Sequence, residues 1–346
     1  MIDRKTVFVL GAGGSCPYGY PSGAHLRKRI CLFQGLWQSY NASGIPNELA
    51  QKEKSRLKEI KEFIDKFNKS RIKSIDLFIA NNPKLAPIGK YIIAFEIFKA
   101  EQNSHFGEEA KFEQEQIADT QRRGIRGPSD LLSLPLFMGE DWYSFLYNHL
   151  IEGKVGKDDL PDFSDGNLGF ITFNYDRSLE QFLYEALRYS FTEVPEERVV
   201  QCLKQLKILH VYGQTVPLKW QNPDDYVDYK QKPSESLLQR AANNIKTIYE
   251  EKVNPELMEA QNLIKQSEQM FFLGFGYASE NMEVLGLPSI IPQRCLVYGT
   301  AFGANDKEVK RIHKRIIDGD TTDSKAARRK VIESTDCLEL LRNYLG

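Results

Sequence analysis

Five short apolar runs recur along the chain, and most give way to Gly, Asn or His and then to residues apolar at helical spacing. They are Thr6 to Leu10, Leu168 to Phe173, Lys207 to Tyr212, Met270 to Gly274 and Cys295 to Gly299. Runs of this length, bounded by turn residues, read as buried strands, and strand followed by helix is the βα unit of a parallel sheet. After the second run, Leu179, Phe182, Leu183, Ala186 and Leu187 share one helical face. Asn254-Pro255 pairs an N-cap with a first-turn proline, ahead of Leu257, Ala260, Leu263 and Ile264.

Residues 11–167 separate the first run from the second, far too many for one crossover. Ser55 to Phe67 is a charged helical pattern with Leu57, Ile60, Phe63, Ile64 and Phe67 on one face. Ile88 to Phe98 and Asp141 to Leu150 predict two more helices, with Trp142, Tyr143, Phe145 and Leu146 as core of the inserted helices. Glu101 to Ser129 is polar and reads as a surface loop. The expected fold is α/β: a Rossmann-type parallel sheet with helices on both faces and a large helical insertion. Residues 1–40 and 165–346 form the core, and 41–164 the insertion, with its polar loop near 101–129. Asp306 to Lys330 mixes both charge signs and reads as a solvated helical face.

Composition narrows the function classes. Hydrophobic residues make up 41% of the 346 positions, enough for a sizeable core. Lys plus Arg total 46 against 47 Asp plus Glu, which gives no global footprint for direct nucleic-acid binding or an anionic membrane. The opening apolar run is too short for a signal peptide, and no stretch approaches the ~18 apolar residues of a membrane span. The five cysteines are scattered without a Cys-x-x-Cys pair, so neither zinc nor a disulfide framework is indicated. His25, His105, His149 and His313 lack the spacing of metal ligands. A reduced cytoplasmic protein without a metal is the expectation.

Candidate chemistry sits at the strand ends. Gly11-Ala12-Gly13-Gly14-Ser15 follows the first strand, and glycines there let the backbone approach a diphosphate. Cys16 stands where a dehydrogenase turn has its third glycine, and the next ~20–30 residues offer no acidic residue ending a second strand to hold a ribose. The stiff loop Pro17 to Gly23, with Pro21, is placed to cover the same site. Thr172-Phe-Asn174-Tyr-Asp176 follows the second strand. Asn174 is a turn-former or a ligand contact; Asp176 is a good helix cap. His210, ahead of Gly213, is a core histidine or a general base, which must reach its proton within ~3 Å. Gly274-Phe275-Gly276, followed by Asn281, is a second glycine turn, and Thr300 lies in the small-residue exit of the last strand.

Taken together, these motifs resemble the sirtuin superfamily. Gly11-Ala12-Gly13-Gly-Ser15 looks like its nucleotide turn, and Thr172-Phe-Asn174-Tyr-Asp176 looks like its Thr-x-Asn-x-Asp motif. His210 with Gly213 is similar to its His-Gly element, and Leu273 to Gly276 to its later glycine turn. The chain departs by lacking the zinc ribbon of deacylating members and by placing Val-Tyr between His210 and its glycine. Both departures, and the helical insertion, resemble the bacterial antiphage-defence branch, as do Ser74-Ile-Asp76-Leu-Phe78 and Ile88-Gly-Lys90. Asp76 is an N-cap or an added active-site residue. The resemblance implies an NAD hydrolase releasing ADP-ribose and nicotinamide, with NAD as substrate, Asn174 orienting water or a ribose hydroxyl, and His210 as base. It further implies gating by homo-oligomerisation or by a separately encoded partner such as a HerA-type hexameric ATPase. A non-catalytic NAD or ADP-ribose scaffold, a protein deacylase and an ADP-ribosyltransferase are the other classes compatible with the turns.

Overall fold

The computed structural model describes residues 2–32, 47–106, 141–154, 159–247, 255–317 and 330–345, with backbone alone for 47–55 and Ile317. Six parallel strands form one sheet: β1 (Thr6–Leu10), β2 (Leu168–Thr172), β3 (Lys207–His210), β4 (Gln269–Leu273), β5 (Leu296–Thr300) and β6 (Lys330–Glu333). Their spatial order is β3-β2-β1-β4-β5-β6, the order of Rossmann-type sheets. Every residue of β1, β2 and β4 is buried, which is why these strands are continuous apolar runs rather than alternating ones.

Register is pinned by aromatic rings on one face. Phe8 pairs with Phe170 and with Phe271, and Phe271 pairs with Tyr298. The rings stack in sequence at centroid distances of 5.2, 5.1 and 5.3 Å. A one-residue slip would move each ring to the opposite face. The charged stretch from Asp306 is corrected at its end: after a helix from Asp306 to Ile317, Lys330–Glu333 is strand β6 at the sheet edge. Four residues of mixed polarity gave no strand pattern; pairing with β5 makes the strand.

Between β1 and β2 lie a 3-10 turn (Ala12–Tyr18), α1 (Gly23–Leu32), α2 (Asn47–Ser70), α3 (Ile75–Asn81), α4 (Ala86–Gln102) and α5 (Trp142–Ile151). Ile60, Phe63, Ile64 and Phe67 of α2 are buried, as their spacing predicts. The long polar loop expected near 101–129 falls largely outside the described residues, as does Asn254. The chain continues through α6 (Ser178–Ser190), α7 (Glu196–Gln205), α8 (Glu235–Asn244), α9 (Pro255–Gln266), α10 (Ser279–Leu285), α11 (Asp306–Ile317) and α12 (Cys337–Tyr344).

Two contacts tie helices from between β1 and β2 to the rest of the fold. Helix α4 packs along α8, and Glu101 at its end forms a two-pronged ion pair with Arg177, which directly follows the Asn174–Asp176 turn. Both side chains are fully buried, with Nε and Nη2 each 2.9 Å from a carboxylate oxygen. Helix α5 has its main contacts with α6 and α12, and the Trp142 indole donates to the Gly14 carbonyl at 2.8 Å. Trp142 is buried core, as expected, and also props the first glycine turn.

Candidate active site

The strand order reverses between β1 and β4, and the loops leaving the carboxyl ends of the strands diverge there. In open α/β sheets this is where ligands bind. A cleft of about 340 Å³ lies at that point, within the usual size for a small-molecule site. Its walls come from four strand ends and from the insertion. They include Gly11 to Gly13, Tyr20 to Gly23, Phe173 to Asp176, Tyr212, Gly274 to Gly276 and Asn281, with Ser74, Ile75, Asp76 and Ile97 opposite. No Lys, Arg or His side chain lines it among the described residues. A larger hollow of about 960 Å³ lies on another face, lined by α6, α7 and the loop carrying Trp220. It is remote from the strand ends, except that Tyr229 in its wall meets Tyr20 of the cleft, hydroxyl to hydroxyl, at 2.8 Å.

Asn174 is the most constrained polar residue of the cleft. Its N–H donates to Thr172 Oγ1 at 3.0 Å, and its Nδ2 donates to the Gly11 carbonyl at 3.1 Å and to Ser15 Oγ at 2.9 Å. A carbonyl only accepts, so the Gly11 contact fixes which end of the amide is nitrogen. The other end, Oδ1, is buried with no hydrogen-bond partner. A buried acceptor left unpaired costs free energy comparable to a lost hydrogen bond. Oδ1 is thus suited to take a hydrogen bond from a water or a sugar hydroxyl.

Two carboxyls accompany it. Tyr175 donates its hydroxyl to Asp76 Oδ1, joining the β2 loop to the insertion. Burial pushes the Asp76 carboxyl above its ordinary range, and the Tyr175 bond opposes that in part. The cap of α3 is Ser74, whose Oγ accepts from the Leu77 N–H at 3.3 Å, so the N-cap reading of Asp76 is corrected. Asp176 is raised by burial too, with Ser178 working against it. The formal cap residue of α6 is Arg177, with no side-chain cap bond. Asp176 instead accepts from the Ser178 N–H at 3.1 Å and from its hydroxyl, a cap's role taken one position early.

The glycine turns need correction as to what approaches them. A Cβ on Gly11 would lie 2.6 Å from the Gly274 carbonyl oxygen, and one on Gly13 would lie 2.8 Å from Gly274 Cα. Gly274 has φ +59°, and a Cβ there would meet the Gly14 nitrogen at 1.9 Å. These glycines let the β1 and β4 turns pack on each other. The Gly13 N–H is used by the Gly274 carbonyl at 3.1 Å, and the Gly14 N–H by Gly11 at 2.9 Å. Gly276 differs: nothing lies within 4 Å of a Cβ built on it, and it faces the cleft. Gly274→Ala is expected to leave little soluble, folded protein, whereas Gly276→Ala should keep wild-type secondary structure and lose ligand affinity. Circular dichroism and calorimetry would separate the two.

Helix α1 begins at Gly23 on the cleft wall with no acidic residue in its first turn. The helix dipole favours negative charge at its amino end, where the His25 N–H already donates to Ser22 Oγ at 3.3 Å.

Several sequence-singled residues lie behind the wall. Ser15 and Thr172 hold Asn174. Thr300 Oγ1 accepts from the Gly274 N–H at 2.9 Å and so props the second turn. Gly213, at φ +71°, sits against the Asn244 carbonyl of α8, away from the cleft. His210 is also withdrawn from it. Its Nδ1 is 2.9 Å from the Asn174 carbonyl, and its Nε2 is bonded to Glu180. A general base needs a free lone pair within reach of its proton. His210 has neither here.

Tyr20, Tyr175, Tyr212 and Ile97 were not singled out from sequence as site residues. Tyr175 and Tyr212 stood inside recognised motifs, and Tyr212 donates to Asn281 Oδ1 at 2.9 Å. Ile97 belongs to a helix of the insertion, where nothing local signals a cleft. No described group of His, Cys, Asp or Glu is arranged to hold a metal ion. No helix among the described residues is long and apolar enough to cross a membrane. No protein-family model matches the chain, and no curated protein matches it.

Proposed function

We propose that this protein is an NAD hydrolase of the sirtuin-like type found in bacterial antiphage defence, cleaving NAD to ADP-ribose and nicotinamide. The unpaired, buried Asn174 Oδ1 at the switch point carries the reading. In the reaction the bond from ribose C1′ to the nicotinamide nitrogen breaks, and its electron pair returns to the ring, which leaves neutral and needs no acid. Water adds to C1′ and gives up a proton, yielding ADP-ribose, nicotinamide and one proton. Asn174 accepts a hydrogen bond from that water or from a ribose hydroxyl and so fixes its direction of attack. The carboxyls of Asp76 and Asp176, in a cleft without a described cationic side chain, suit a transition state with positive charge on the sugar. Asp76 lines the cleft, and burial raises its affinity for a proton, so its carboxylate is the candidate to receive the water proton. The diphosphate is assigned to the amino end of α1 and the Gly276 turn.

Uncontrolled NAD loss would harm the host cell, so this reading carries control by self-association or by a partner such as a HerA-type ATPase. The test is nicotinamide release from NAD by the full chain, alone and with such a partner. A non-catalytic NAD or ADP-ribose scaffold is the second reading, favoured by the withdrawal of His210 from the cleft. Calorimetric NAD binding with no nicotinamide release in the assembled state would establish it over hydrolysis.

A further inference from the structure

His210 Nδ1 lies 2.9 Å from the Asn174 carbonyl, and a carbonyl cannot donate, so Nδ1 carries a proton. Nε2 lies 2.5 Å from Glu180 Oε1. With Nδ1 protonated, a bare Nε2 would face an ionised carboxylate lone pair to lone pair. A second proton between Nε2 and Glu180 removes that repulsion. The pair is almost fully enclosed, with 7% and 2% of the two side chains exposed. Glu180 belongs to α6 and His210 to β3, so the contact also ties helix to sheet.

We propose that Glu180 is a positioning residue for the NAD-cleaving site: by holding a proton on His210 Nε2, it locks the Asn174 carbonyl and keeps Oδ1 presented to the substrate. This rests on the hydrolase reading of the cleft. When the ring loses that proton, its one remaining hydrogen must serve either Asn174 or Glu180. The carboxylate is the stronger acceptor, so the Asn174 bond is the one given up. Asn174 then loses its hold at the carbonyl and keeps only the Thr172, Gly11 and Ser15 bonds, so Oδ1 is presented less firmly.

The groups acting on the ring are consistent with this. Burial pushes the His210 pKa down, but Glu180, the Asn174 carbonyl and Asp176 outweigh it and leave the ring above its ordinary value. Glu180 reaches it from α6, Asp176 and Asn174 from the β2 loop, and the charged groups among these are both acidic. A raised native value means that the folded protein binds more protons than the unfolded chain from about pH 6.5 upward. Stability from this pair is full below that point and is lost as pH rises through the native value. Asp76 and Asp176 change in the same direction, but from about pH 4 upward.

The sign of the activity profile separates positioning from base catalysis. A general base works when deprotonated, so kcat would rise as His210 loses its proton. A positioning imidazolium works when protonated, so kcat falls through the same window. The experiment follows kcat and KM of the full chain, with its activator if one is required, from about pH 6 to 9. His210 ring C–H resonances are titrated by NMR alongside. Wild type should show a descending limb that coincides with the His210 titration. Glu180→Gln should move both to lower pH and cut kcat near neutrality by up to about 10²-fold, with KM little changed. Glu180→Asp, which keeps the charge, should move them less.

A kcat that rises with His210 deprotonation would overturn the proposal. So would a Glu180→Gln variant with both limb and titration unmoved. If Glu180→Gln does not fold, the wild-type profile and titration still decide. If no NAD is cleaved under any condition, the hydrolase reading fails, while the NMR titration still reports whether Glu180 sets the His210 proton.

Discussion

Asn174→Ala is expected to lower nicotinamide release from NAD by on the order of 10²-fold or more, with kcat carrying the loss. Among the described residues the side chain supplies the one cleft acceptor that is buried, unpaired and fixed in orientation by donors on its other end. On the proposed hydrolase reading, its removal takes away direction from the attacking water or the ribose and leaves the glycine turns in place. The substitution also leaves the Gly11 carbonyl and Ser15 Oγ short of a donor, at a cost of about 1–3 kcal/mol. Thermal melting must therefore accompany the kinetics. Asn174→Asp is the companion variant: a carboxylate cannot donate to Gly11, so it should fail as well. Full turnover in a folded alanine variant would remove Asn174 from the mechanism.

Arg177→Met is expected to lower unfolding free energy by about 3–5 kcal/mol, because it strands a buried carboxylate. Arg177 and Glu101 are both fully enclosed. Beyond the carboxylate, the guanidinium donates to the carbonyls of Val216, Val227 and Asp228, and the Lys230 N–H also bonds Glu101. One side chain thus gathers α4, the loop after β3 and the turn carrying Asn174. Urea denaturation reads the effect. The double variant Arg177→Met, Glu101→Leu should be more stable than Arg177→Met alone, since it no longer strands a charge. A double variant as unstable as the sum of the singles would show that the carbonyl contacts, rather than the paired charge, hold the joint. Activity should fall too, because Arg177 adjoins Asp176 in the cleft wall.

Five of the six described strands were legible: β1, β2 and β4 because burial on both faces forces continuous apolar runs, and β3 and β5 because their shorter apolar stretches end in turn residues. The expected bounds agree with the structure to within two residues at each end. β6 was not legible: at the sheet edge, Lys330-Val-Ile-Glu333 alternates buried and half-buried, and four such residues resemble a helix face equally well. No acidic residue ends a second strand within ~20–30 positions of the first glycine turn, because helices α1 to α5 stand between β1 and β2. The strand beside β1 is β2, and the loop beyond it holds Asn174 and Asp176.

The site was half legible. Motif spacing identified the turns that meet at the cleft, and Asp76 came from the resemblance alone. Roles were less readable, because a motif states which residue is special and not what stands against it. Gly274 reads as room for a ligand, yet the space is taken by Gly13 and Gly14. His210 reads as a base, yet Glu180 and the Asn174 carbonyl occupy both nitrogens.

The sequence by itself determined a parallel α/β sheet, the strand ends that carry polar groups, and helices between the first strand and the second. Those properties are local, being written in runs of apolar residues and in the turn chemistry between them. Only the tertiary structure decided that Asn174 keeps a free acceptor, that His210 is held behind it, and that Asp76 crosses from the insertion to meet Tyr175. Hydrogen bonding over separations of 30 to 163 positions settles each of these. Such pairings depend on which elements the sheet order brings side by side, and no window of neighbouring residues contains that order.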